Sequence, residues 1–243
     1  MFRAENIHRW VGKIDILKWI DMHIASGEAV WLVWPNGCGK TSFLNTVNGF
    51  NTSTTWSFFL DDTDITSLSV EQRALSWIWR VFQSFGIFKG LSLYENLALA
   101  YVKQLWWKHK LLPISYLPKP IKDEIEHVLF EVDLRDKKDE LAWNLSWWQM
   151  RLLEIARLYL QKTRLFLLDE PTAGVSPKLK EKVIELIKKI ISLEKMVLIV
   201  EHDFSFLGQF VDKLYVIESW KNFAQGTYEQ VKANEKVKEI YFG

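Results

Sequence analysis

Five consecutive apolar residues, Ala29 to Val33, run without a break into Trp34-Pro35-Asn36-Gly37-Cys38-Gly39-Lys40-Thr41, and Phe43, Leu44 and Val47 follow at helical spacing. A short, continuously apolar strand that feeds a loop and then a helix belongs in a parallel sheet buried on both faces. The loop has the form G-x-x-x-x-G-K-[ST] with only its first glycine replaced, by Trp34. In such a loop successive backbone amides turn inward and the helix behind them presents its positive end, so phosphate oxygens are held with few side chains. Lys40 adds a point charge against the phosphates, and Thr41 offers a hydroxyl to Mg²⁺.

Before this loop, apolar and polar positions alternate, as in Ile14-Asp15-Ile16-Leu17 and Ile20-Asp21-Met22-His23-Ile24, which predicts short antiparallel strands. Trp56 to Leu60 reads as another strand, with Asp61-Asp62-Thr63 as its turn. From about Leu91 to Trp143 the pattern is helical, broken between Lys108 and Pro120 by three prolines that forbid one continuous helix. Met150 to Gln161 is expected to be a helix with Arg151 and Arg157 facing outward, and Pro177 to Leu193 a long amphipathic one. Leu165 to Leu168 and Met196 to Val200 are apolar runs of buried-strand type, ending at Asp169-Glu170-Pro171 and Glu201-His202-Asp203. Strands alternating with helices make this an α/β chain built on a parallel sheet.

Asp169 closes a buried strand, where a carboxylate is costly unless it meets a cation, and Mg²⁺ held mostly through water fits. Glu170 beside it is placed to polarise an attacking water. Alone, His202 would read as a turn histidine and Gln83 as a surface amide. Their order along the chain gives them weight: phosphate loop, Val81-Phe82-Gln83, Leu145-Ser146-Trp147-Trp148-Gln149, Asp169-Glu170, then His202.

In that order and rough spacing these motifs resemble the ATP-binding cassette (ABC) family over essentially the whole chain, with Leu145 to Gln149 standing where the family has LSGGQ. The resemblance implies a P-loop NTPase fold: a RecA-like parallel-sheet core with an N-terminal antiparallel β subdomain, from about 1–90 and 151–243, and a helical subdomain inserted at about 91–150. It implies ATP and Mg²⁺ as ligands. ATP would be held by Trp34, Pro35, Asn36, Gly37, Cys38, Gly39, Lys40, Thr41 and Ser42, and the metal by Thr41, Gln83 and Asp169. Glu170 is similar to the catalytic carboxylate, His202 to the switch histidine near the γ-phosphate, and Gln83 to the glutamine that senses the membrane partner. Two such domains, alike or different, dimerise head to tail in the family. Ser146, Trp147, Trp148 and Gln149 would therefore bind the γ-phosphate from across the interface. Integral membrane permease subunits are the implied further partners. Trp10 stands where an adenine-stacking aromatic is expected, and Ala173-Gly174-Val175-Ser176-Pro177 replaces the usual D-loop. Glu170 to Pro177, Gln149 to Ile155, Tyr94-Glu95-Asn96-Leu97 and the end Val237 to Gly243 resemble the branched-chain amino-acid uptake ATPases, and several also resemble those of lipopolysaccharide export.

Thirteen tryptophans accompany eleven glycines, whereas tryptophan is normally the rarest residue and glycine averages about 7% of a chain. Trp19, Trp31, Trp34, Trp56, Trp77, Trp79, Trp143, Trp147, Trp148 and Trp220 fall where the resemblance calls for glycine or a small residue. Drift does not convert one residue type so uniformly into one other. A gene written for a host that reads UGA as glycine, and translated as if UGA meant tryptophan, would. An indole at position 147 or 148 would project from the surface that must close on ATP, and one at 34 would crowd the entry to the loop. Were the tryptophans genuine, the alternative is a degenerate nucleotide-binding or regulatory protein; a soluble ABC ATPase outside transport is a third reading.

Thirty-one basic and thirty acidic side chains leave a formal charge of +1, which argues against nucleic acid as a partner. A lone cysteine, the absence of a signal-like start and of an apolar run of membrane-spanning length give the expectation of a cytoplasmic protein, and the membrane partners that the resemblance implies would place it peripherally on the inner face of the cell membrane.

Overall fold

A computed structural model describes residues 1–11, 13–35, 39–51, 55–75, 78–81, 86–101, 117–172, 176–201, 208 and 210–241. Asn36, Gly37, Cys38, Trp77, Gln83, His202 and most of the D-loop segment lie outside the described residues. In chain order the elements are β1 (Phe2–Val11), β2 (Ile14–Ile24), β3 (Ala29–Val33), α1 (Lys40–Val47), β4 (Ser57–Leu60), β5 (Thr63–Asp64), α2 (Val70–Leu75) and β6 (Ile78–Val81). They continue with α3 (Leu93–Ala98), α4 (Lys119–Glu131), α5 (Trp147–Leu160), β7 (Leu165–Asp169), α6 (Pro177–Ser192), β8 (Met196–Val200), β9 (Lys213–Glu218), β10 (Lys221–Gly226), α7 (Tyr228–Ala233) and α8 (Glu235–Tyr241). Contacts divide the chain into two compact units, one of Met1–Arg80, Thr163–Pro171 and Ile191–Gly243, the other of Val81–Lys162 and Thr172–Ile190.

The first unit holds both sheets. One is antiparallel, in the order β2-β1-β4-β5; the other runs β10-β9-β3-β8-β7-β6, with β3 parallel to both β8 and β9 and β7 parallel to β8. Every residue of β3, β7 and β8 is buried, as the unbroken apolar runs predict for strands covered on two faces. Phe2, Ile7 and Ile20 of the antiparallel sheet join Leu32, Phe43 and Leu198 in one apolar cluster that seats α1.

A buried guanidinium fastens the far end of α1. Arg73, 2% exposed, donates from Nη1 to the Thr46 and Val47 carbonyls at 2.8 and 2.7 Å, from Nη2 to Thr66 O at 2.6 Å and from Nε to Leu68 O at 3.2 Å. Burial pushes its pKa down to about 10, and the cation sits where the negative end of the helix favours it.

In the second unit, α3 opens with a capping box between Ser92 and Glu95. Asn96, wholly buried, accepts from Phe88 N at 2.9 Å and donates to the Phe88, Leu91 and Ser92 carbonyls, which explains why an asparagine follows Tyr94-Glu95. Pro118 and Pro120 open α4 instead of interrupting a helix. The outward placement expected for Arg151 and Arg157 is not observed: they are 1% and 3% exposed. Glu154, between them on the same face of α5, accepts from Arg151 Nη1 at 2.9 Å and from the Gly86 amide at 2.8 Å. Glu154 pairs directly with Arg151, and its charge offsets part of the cost of burying Arg157 on the same helix.

Trp19 and Trp220 have φ values of 57° and 66°, in the left-handed region that glycine enters at little cost and bulky side chains do not. Trp19 lies in β2 where its register with β1 slips between Ile7 and Arg9, at a bulge. Trp220 follows Ser219 in the β9–β10 hairpin. Trp31, Trp34, Trp147 and Trp148 do not share this backbone conformation. Trp31 and Trp34 are fully buried, the indole of Trp31 donating to Glu201 O at 2.9 Å and that of Trp34 lying 5.6 Å from the Phe43 ring. Trp34 is thus part of the apolar core cluster.

Candidate nucleotide site

The site is assembled on the carboxyl ends of β3 and β7 and the start of α1. Gly39 caps α1 with φ 94°, and a Cβ there would lie 2.8 Å from the Ile16 carbonyl. Only glycine meets both demands. No acidic residue occupies the first turn of α1, so no carboxylate of the helix itself competes with an anion for its positive end. Lys40 and Thr41 occupy that turn, Thr41 exposed. The backbone carbonyl of Ser42 accepts from Thr46 Oγ1 at 2.7 Å and Asn51 Nδ2 at 3.1 Å.

Glu170 leaves β7 with φ 49° while its amide donates to Val200 O at 2.8 Å. A non-glycine residue in that conformation costs about 1–2 kcal/mol, and the carboxylate it directs forms an ion pair with Lys40. Asp169, 2% exposed, ends β7. Its Oδ2 accepts from Arg80 Nη2 at 2.8 Å, and Arg80 Nη1 reaches Asn45 Oδ1 on α1 at 2.5 Å. The second oxygen, Oδ1, is buried with no hydrogen-bond partner among the described residues. An orphaned carboxylate oxygen, with a threonine hydroxyl offered from α1, is the hard-oxygen donor set that suits Mg²⁺.

In the second unit, α5 begins at Trp147, three residues before the expected start at Met150, so the amides of Trp147 and Trp148 belong to its first turn. Ser146 is the N-cap; its amide and hydroxyl both donate to Gln149 Oε1 at 3.0 Å. The two indoles are 43% and 36% exposed, with the Arg151 guanidinium 5.5 Å from the centre of the Trp147 ring. Trp10 is 48% exposed and packs beside His8, 5.1 Å between rings.

Of the residues named from sequence, Pro35, Gly39, Lys40, Thr41, Asp169 and Glu170 fall in one unit, and Ser146 to Gln149 in the other. Arg80, Asn45 and Glu154 were not anticipated. Arg80 did leave a signal: a charge inside the apolar strand Ile78–Val81 requires a buried partner.

The ABC transporter family model matches residues 17–173. The chain belongs to the ABC transporter family. This ABC ATPase is 32% identical over 237 residues to the high-affinity branched-chain amino acid transport ATP-binding protein BraF of Pseudomonas aeruginosa, covering 92% of this chain and 90% of that one. To the corresponding Escherichia coli K12 protein, LivG, it is 30% identical over 230 residues with the same coverage. Its fold superimposes with a TM-score of 0.84 on the crystal structure of an ABC-transporter ATP-binding cassette in its ADP conformation, 26% identical, covering all of this chain and 98% of that one. Among the described residues, no helix of this ABC cassette is long and apolar enough to cross a membrane.

Proposed function

We propose that the chain is the ATP-hydrolysing subunit of a transporter for branched-chain amino acids or similarly small solutes, working as a dimer on membrane permease subunits at the inner face of the cell membrane. The core is formed by residues of about 1–90 and 151–243, and the segment of about 91–150 is its helical subdomain. Residues 34–42 hold the triphosphate, Lys40 opposing its charge. Thr41, Asp169 and Gln83 would hold Mg²⁺, which supplies neutralisation of charge on the β- and γ-phosphates. Glu170 accepts a proton from the attacking water, and His202 holds the γ-phosphate side of the site. Ser146, the amides of residues 147 and 148, and Gln149 close over ATP bound to the other copy.

What carries this reading is the pairing of Lys40 with Glu170 beside the orphaned Oδ1 of Asp169. The ion pair joins the start of α1 to the end of β7, where Asp169 and Glu170 are consecutive, which supports a phosphate-binding role for Lys40, a water-activating one for Glu170 and a metal-binding one for Asp169. The relatives' role in branched-chain amino acid transport supports the solute class. The test is assembly: Glu170→Gln protein with ATP should elute as a dimer, and should copurify with the multispan products of adjacent genes. A chain that stays monomeric at saturating ATP overturns the dimer.

A further inference from the structure

We propose that Arg80 is a positioning residue that sets the spacing between the two metal-binding side chains, Thr41 and Asp169. The inference rests on the reading of those two residues as ligands, and extends it to a residue no motif assigns. Thr41 and Asn45 are four residues apart on α1 and therefore lie on one helix face. Arg80 spans from Asn45 Oδ1 to Asp169 Oδ2 with the two arms of one guanidinium, at 2.5 and 2.8 Å. The arginine thus ties the helix that carries Thr41 to the strand end that carries Asp169.

Two features separate this from an ion pair that only holds the fold. The Arg80 and Asp169 side chains are 4% and 3% exposed, and a buried pair by itself is weak ground for stability because desolvation offsets the attraction. More telling is the asymmetry at Asp169: Arg80 takes Oδ2 alone, which fixes the carboxylate's rotation and leaves Oδ1 without a protein partner among the described residues. Arginine is the side chain for the task, since its planar fork holds two acceptors at a set separation. A lysine ammonium brings the same charge with no such fork.

The experiment is a Mn²⁺ titration by electron paramagnetic resonance of the full chain with ADP, carrying the residues that peptide masses assign at the tryptophan positions. Fluorescent ADP binding in EDTA serves as the metal-free readout. Arg80→Met is expected to weaken Mn²⁺ binding by about tenfold or more, the range of lost outer-shell partners, while metal-free ADP affinity stays within about threefold. Arg80→Lys should fail to restore Mn²⁺ affinity. Asn45→Ala leaves the buried ion pair in place and removes one arm only, so it decides the matter if Arg80→Met does not fold; a loss of about threefold to tenfold is expected. Asp169→Asn separates the two levels of the argument. If it leaves Mn²⁺ affinity intact, Asp169 is not a ligand and the underlying reading fails. If it weakens Mn²⁺ while Asn45→Ala and any folded Arg80 variant match the parent, the spacing role of Arg80 is overturned. A parallel fall in metal-free ADP binding would also overturn it, as the mark of a purely structural residue.

Discussion

Ser219 and Trp220 hold successive left-handed conformations, φ 48° and 66°, and together form the two-residue loop between Glu218 and Lys221. This is the turn that matches the twist of paired strands, and glycine is its usual second residue. Asp61 and Asp62 make the same loop between Leu60 and Thr63, φ 47° and 62°, with short polar side chains that tolerate the conformation. Trp220→Gly should relieve about 1–2 kcal/mol of backbone strain. It also removes the Lys18 cation from over the indole, 4.8 Å away, a loss of about 0.5–1 kcal/mol. A net gain in urea stability of about 0.5–1 kcal/mol is expected; a loss would mean that tryptophan is at home in the turn.

The tryptic fragment from Asp139 to Arg151 contains Trp143, Trp147 and Trp148. Its mass in protein made by the native host is expected to correspond to three glycines. The strained backbone at Trp19 and Trp220 points the same way, because both conformations favour glycine. A mass carrying three indoles would leave residues 146–149 without the bare amides that a closing ATP site requires, and would favour a regulatory protein.

Glu170→Gln should lower phosphate release by about 10²–10⁴-fold, the usual weight of a general base. ATP affinity should hold or rise, since Glu170 is the ion-pair partner of Lys40 and its neutralisation leaves that cation to the phosphates. Unchanged turnover in a phosphate-release assay would remove Glu170 from the chemistry.

Burial raises the pKa of Glu154 above the usual carboxylate range, opposed by the Gly86 amide, Arg151 and Arg157. A carboxyl raised in the folded state binds more protons folded than unfolded between its unfolded value, about 4.3, and its folded one. Its contribution is therefore full below about pH 4.3 and is lost as pH rises through the folded pKa. Glu154→Gln does not titrate. The stability of the parent minus that of the variant should accordingly fall as pH rises from about 4.3, measured by urea unfolding in steps of pH. A difference that is flat, or that grows with pH, would show that the two guanidiniums outweigh burial.

Much of the fold was legible because parallel strands write themselves plainly: Ala29–Val33 and Met196–Val200 are uninterrupted apolar runs, and the structure keeps those bounds. The first turn of α1 was equally readable, since Gly39-Lys40-Thr41 leaves little conformational choice. Charged residues were harder. Arg151 and Arg157 depart from the default that arginine seeks water, and Glu154 at the intervening third position is the sign of a compensating charge on that face. Arg80 was missed for a related reason: its partners, Asn45 and Asp169, are 35 and 89 residues away in sequence. Periodicity reports which side of an element is apolar, and cannot report a pairing across a sheet. The roles of Gln83 and His202 were read from motif order alone, and both lie outside the described residues.

The pairing of β3 with β8 also dictates a timetable. Leu32 lies opposite Val200, so the strand that leads into the phosphate loop has no parallel neighbour on that side until most of the chain has been synthesised. At about 5–20 residues per second, the wait is on the order of ten seconds or more. Throughout it, five apolar residues remain without the partner that will bury them, and long-range parallel pairing is slow to form even once both strands are present. The nascent chain must therefore be shielded by a chaperone or by its own antiparallel sheet, whose strands β1 and β2 are complete within the first twenty-four residues.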